Sequence, residues 1–181
     1  MNKKTKLLAA SLTALALFVG TRSNAQSIEK GKLRFGIGLD GLAPVGNFTK
    51  TANFGLGLTP RLQYGISNRF ALTFTSGIYH FFPKDIYLNS GTQTYKTQWE
   101  LNVVPVKVGF KAFVTQHIYL GAEGGIGFQV DNGGGDSKYL FSPSVGYASK
   151  NWDFSLRYEN FSGNGYRNGV IGARIAYGFG L

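Results

Sequence analysis

The stretch Gly169 to Leu181, reading GVIGARIAYGFGL, constrains this chain more than any other. Successive side chains of a strand point to opposite faces of a sheet. Read that way, Ile171, Ala173, Ile175, Tyr177, Phe179 and Leu181 share one face, and Val170, Gly172, Arg174, Ala176, Gly178 and Gly180 share the other. A soluble sheet shows water a face rich in polar side chains, and neither face here is of that kind. A continuous apolar face ending in aromatics, backed by glycines and a single arginine, is what a lipid-facing barrel strand requires.

The same alternation recurs seven times upstream. The pattern predicts strands over Lys32–Leu39, Ala52–Tyr64, Phe70–His80, Thr97–Phe113, Ile118–Val130, Tyr139–Ala148 and Trp152–Phe161, before the closing one. In the fourth, Leu101 and Val103 fall on one face and Val104, Val106 and Val108 follow in the opposite phase. A β-bulge at Val103-Val104, just before Pro105, is expected to absorb the slip. Connections at 40–51, 81–96, 131–138 and 161–168 are long, and those between them are tight turns. The fold class is therefore all-β: an eight-stranded antiparallel up-and-down transmembrane β-barrel, with the long loops outside and the turns on the periplasmic side.

The first residues read differently. Lys3, Lys4 and Lys6 precede the apolar run Leu7 to Gly20, and Ser23-Asn24-Ala25 forms a small-residue cleavage site. That run is shorter than the roughly 20 residues of a membrane-spanning helix, so 1–25 is expected to be a signal peptide and 26–181 the barrel domain. Without 1–25 the formal charge falls from +10 to +6, spread along the chain without a Lys/Arg run, which argues against nucleic-acid binding. The absence of cysteine excludes thiolate chemistry, disulfides and acylation at a lipobox cysteine.

The same alternation read inside out would give a soluble lipocalin-like calyx. Glycine on the non-apolar face decides against it, because it weakens a water-facing strand but relieves crowding in a narrow lumen. Trp99, Tyr139, Tyr147, Trp152, Tyr158, Tyr177 and Phe179 sit mostly near strand ends on the apolar face, as interfacial girdles do. The inner face then carries Arg34, Arg61, Glu100, Lys107, Lys111, Glu123, Asp153, Arg157, Glu159 and Arg174. Buried charges persist when paired, so these are expected to plug the lumen, with Glu123 and Asp153 among Arg157, Arg174 and Lys107.

The mature chain resembles the outer-membrane β-barrel domain proteins of Bacteroidota and, more distantly, small eight-stranded enterobacterial barrels. The likeness rests on LRFGIGL at Leu33 to Leu39, IYLGAEGGIGF at Ile118 to Phe128, FSPSVGY at Phe141 to Tyr147, DFSLRYENFSG at Asp153 to Gly163 and the ending GARIAYGFGL. These motifs speak to architecture and location in the Gram-negative outer membrane, and carry no activity.

Chemistry is sparse. His80 and Ser76 are about 13 Å apart along a strand, too far for a nucleophile–base pair, so a lipid-modifying enzyme is not expected. Asp131 and Asp136 alone do not make a metal site, and Gly36-Ile37-Gly38 has no following helix to hold a phosphate; no cofactor is expected. The expected role is envelope-structural or surface-interacting through the loops, with a narrow pore for small solutes as the alternative. Expected partners are outer-membrane lipid and lipopolysaccharide, an extracellular ligand of unknown kind, and the assembly machinery, which would recognise Tyr177 and Phe179. The barrel is expected to be a monomer.

Overall fold

A computed structural model describes residues 29–84, 86–90, 93–97, 101–130, 136–163 and 166–180. The expected signal peptide, Trp99, Glu100, Asp131 and Leu181 lie outside the described residues. The strands are β1 (Leu33–Val45), β2 (Ala52–Gly65), β3 (Phe70–Thr75), β4 (Ile78–Pro83), β5 (Ile86–Ser90), β6 (Gln93–Thr97), β7 (Leu101–Phe113), β8 (Ile118–Gln129), β9 (Ser137–Ala148), β10 (Trp152–Gly163) and β11 (Tyr166–Gly180). β3 and β4 are two halves of one stave, and β5–β6 is a separate hairpin, so the barrel has eight antiparallel staves. It closes between β1 and β11, in register from Arg34–Gly180 to Val45–Gly169.

Period-2 alternation sets the two faces. Thirty-three large apolar or aromatic side chains are exposed among the described residues, including Leu39 at 68% and Leu156 at 57%. Each would gain about 2 kcal/mol on leaving water, so this surface is a lipid-facing one. Aromatics rim it at both ends. Phe54 stacks on Phe82 at 4.5 Å at the loop end, and Tyr177 meets Trp152 at 5.2 Å and Phe179 at 5.0 Å at the turn end. Among the described residues no helix is long and apolar enough to cross a membrane; the strands cross it.

The three tight turns share one chemical device. Ser67 Oγ accepts hydrogen bonds from the amides of Arg69 and Phe70, Thr115 Oγ1 from those of His117 and Ile118, and Ser149 Oγ from that of Trp152. A hydroxyl that satisfies the amide three residues on closes the turn and starts the next strand at an apolar residue.

At the loop end the structure corrects the sequence reading. β1 does not stop at Leu39 but runs to Val45, so the expected loop 40–51 shrinks to the 3-10 turn Gly46–Lys50 and Thr51. The stave expected to end at His80 continues to Pro83, and much of 81–96 is the β5–β6 hairpin, with Thr97 in it rather than in the barrel wall. β9 begins at Ser137 inside the expected loop 131–138, and β10 and β11 take all but 164–165 of the expected loop 161–168.

The expected bulge at Val103-Val104 is absent. β7 pairs with β8 in unbroken register from Val103–Gln129 to Phe113–Tyr119, and Val103 points into the barrel. The irregularity lies in the neighbouring stave. β7 meets β3 as far as Thr75–Lys107 and β4 from Tyr79–Val103, so Pro105, which has no amide to donate, faces the break between them. Gly77 forms that break at φ +142, and a Cβ there would run into the Leu58 carbonyl.

Candidate functional site: a charge-packed lumen

The inward residues fill the barrel in three layers. Nearest the loops, Leu42, Phe48, Phe81, Val103, Phe161 and Val170 form an apolar cap. The Phe81 ring stands edge-on to Phe48 at 5.0 Å and to Phe161 at 6.3 Å. This cap explains the false phase slip: above the charges the inner face itself becomes apolar, so Val103 and Val104 are both hydrophobic while facing opposite ways.

The middle layer is ionic. Arg157 donates from Nη1 to Asp40 at 2.6 Å, from Nε to Glu159 at 2.7 Å and from Nη2 to the Tyr79 hydroxyl at 3.0 Å. Lys107 Nζ lies 3.1 Å from Glu159 and 3.6 Å from Glu123, and donates to the same Tyr79 hydroxyl at 3.0 Å. Glu123 accepts from Arg61 at 3.1 Å, Thr75 at 2.7 Å and Thr73 at 3.2 Å. Thr59 donates to Asp40 and receives Arg174 Nε at 3.0 Å, while Arg174 Nη2 reaches the Thr59 carbonyl at 2.9 Å.

Toward the turns, Lys111 pairs with Asp153, and its ammonium sits 4.2 Å from the centre of the Tyr119 ring. The Tyr119 hydroxyl donates to Asp153 at 2.9 Å. Phe113, Tyr119 and Ala148 form a second, smaller apolar cluster, and Arg34 Nη1 reaches across to the Ser149 carbonyl at 3.1 Å. Glycines make room for these long cations: a side chain at Gly38 would collide with the Arg174 guanidinium, and one at Gly178 with that of Arg34.

Nine of the ten expected lumen charges are buried inside the barrel, and the tenth, Glu100, lies outside the described residues. Within the expected cluster, Lys107 lies 3.6 Å from Glu123 and Arg174 lies 4.0 Å from Asp153, while Arg157 serves Asp40 and Glu159 and the short bonds of Arg174 go to Thr59. Sequence reading missed Asp40, assigned there to a loop, and gave no role to Tyr79 and Tyr119. The signal for Asp40 was its even position after Arg34, Gly36 and Gly38; Gly41 and Pro44 obscured it by resembling a turn.

Outside the lumen, His80 faces outward with Nδ1 2.7 Å from Asn102 Oδ1 and its ring against Phe82, so its hydrogen-bond partner is Asn102 and not Ser76. His117 sits in a turn against Tyr147. Among the described residues no three His, Asp or Glu side chains are grouped as a metal site would need.

No protein-family model and no curated protein matches the sequence. Solved structures do. Ail, the attachment invasion locus protein of Yersinia pestis, is similar over 83% of this chain and 99% of its own, with TM-score 0.57 and 12% identity. The N-terminal β-barrel domain of Pseudomonas aeruginosa OprF is similar over 81% and 97%, with TM-score 0.51 and 12% identity. This is the fold of a Gram-negative outer-membrane barrel. Ail in complex with the heparin analogue sucrose octasulfate is similar over 83% and 99%, with TM-score 0.51 and 14% identity. At these identities the likeness concerns the fold.

Proposed function

We propose that this chain is a non-conducting, monomeric outer-membrane barrel of the Bacteroidota type, which mounts surface loops on a rigid, plugged scaffold. The observation that carries the reading is the lumen: an apolar cap, an ion-pair layer and a second apolar cluster are stacked along it. Eight staves enclose an interior just wide enough for side chains, and here side chains occupy it. Among the described residues the closed barrel also leaves no strand edge in the wall for a second copy to pair with, which supports the monomer.

The hairpin β5–β6 is the one strand pair outside the barrel sheet among the described residues, and it belongs to the loop end. Binding commonly resides on loops held by a rigid framework. Ail, which shares the fold, has been seen with a sulfated-sugar ligand, and that supports an extracellular ligand for this chain too. The outer face meets membrane lipid and lipopolysaccharide, and Tyr177 and Phe179 offer the assembly machinery an exposed aromatic edge. Residues 1–25 act as the removable signal, and the chain performs no catalysis.

Deleting 86–97 from the surface-displayed chain tests the role of the loops. The deletion is expected to leave the folded barrel in the outer membrane and to abolish attachment of the cells to immobilised heparin. Unchanged attachment and envelope integrity would refute a loop-centred role. Lipid A is expected to keep its mass after overexpression; a modified species would reopen the enzyme reading.

A further inference from the structure

The net charge of the barrel is distributed unevenly along its axis. Residues 26–181 carry fifteen basic and nine acidic side chains. Six basic and four acidic ones are buried in the lumen. In sequence, the loop-end connections and adjoining strand tips carry Lys50, Lys84, Lys96, Lys138 and Arg167 against Asp85, Glu100, Asp131 and Asp136, close to balance. The turn end carries Lys30, Lys32, Arg69 and Lys150 against Glu29 alone. Half of the +6 excess therefore stands on the short-turn rim.

That rim is held together by backbone. The Gly31 amide donates to the Gly65 carbonyl at 2.8 Å and the Gly65 amide to the Lys32 carbonyl at 3.0 Å, which fixes Lys30 and Lys32 beside the turn bearing Arg69. Arg34 binds the Ser149 carbonyl, next to Lys150, from across the mouth. Lys30, Lys32 and Lys150 are exposed. Each basic segment also abuts the aromatic girdle: Arg69 precedes Phe70, Lys150 lies two residues before Trp152, and Lys32 precedes Leu33, which pairs with Tyr64. A cation one or two residues beyond an interfacial aromatic stands at the height of lipid headgroups.

We propose that the turn-end rim is a binding surface for anionic phospholipid of the periplasmic leaflet, with Lys30, Lys32, Arg69 and Lys150 meeting headgroup phosphates. The proposal rests on the outer-membrane reading above. The girdle favours lipid over the carboxylates of the cell wall, because the cations lie level with the bilayer surface and not beyond it.

The full chain, purified from the outer membrane of a Gram-negative host, is placed in nanodiscs of phosphatidylethanolamine mixed with phosphatidylglycerol, and retained lipid is read by native mass spectrometry. Phosphatidylglycerol is expected to be enriched over its share of the disc, and less so at high salt. The triple variant Lys30→Gln, Lys32→Gln, Lys150→Gln should lose up to about fivefold of that enrichment per lysine. The matching Arg variant should keep it, as should Lys50→Gln with Lys138→Gln at the loop end. No enrichment in the wild type, equal enrichment in the triple Gln variant, or equal loss in the loop-end variant would overturn the proposal. So would a triple variant that loses co-sedimentation with peptidoglycan while its lipid profile is unchanged. A chain that stays out of the disc would overturn the membrane reading together with the proposal; a chain that inserts without lipid preference would overturn the proposal alone.

Discussion

Glu159 has no solvent exposure, yet it accepts from both Arg157 at 2.7 Å and Lys107 at 3.1 Å. Removing its charge leaves two cations facing each other without a carboxylate between them, and breaking a buried pair costs about 3–5 kcal/mol. Glu159→Gln is therefore expected to lower the unfolding free energy of the refolded barrel, read from the shift of its guanidinium midpoint, by an amount in that range, whereas Lys50→Gln, on the exposed rim, should leave it alone. Equal midpoints would contradict the ion-pair layer. Gly38 and Gly41 make a second contrast within one strand. Gly38 underlies the Arg174 guanidinium, while nothing lies within 4 Å of a Cβ at Gly41. Gly38→Val should destabilise by about 1–3 kcal/mol through overpacking, and Gly41→Val should be near neutral in the same titration.

Thr115→Ala removes the acceptor for the amides of His117 and Ile118 and should cost about 1 kcal/mol, read as faster unfolding. Replacing Tyr177 and Phe179 with Ser strips the exposed aromatic edge of β11 and should leave less folded barrel in the outer membrane, seen as loss of the heat-modifiable band; normal assembly would refute their role. The staves themselves were legible in the sequence, because alternation needs only local information. Their ends were not. Asp40, Leu42 and Pro44 keep the inward phase of β1, but the lumen changes from charge to hydrocarbon above Asp40, so inner and outer faces stop differing in polarity. The same change hid the phase of Val103 and placed Phe81 in a loop. Which carboxylate serves which cation was also out of reach, since contacts such as Asp40 with Arg157 join residues 117 positions apart.

The whole molecule is a sheet closed on itself, apolar outside and ionic within, the reverse of a soluble domain. Its outward band removes any need for a hydrophobic core of ordinary size, and its interior is stabilised by pairing charges that a bilayer would not tolerate singly. That inversion leaves a lumen filled by its own side chains, with no path for ions through it. The decisive measurement is conductance of the refolded chain in planar bilayers, with insertion verified by protease protection and heat-modifiable migration. Inserted protein that gives no discrete conductance steps is the predicted result; long-lived steps from verified barrels would contradict it.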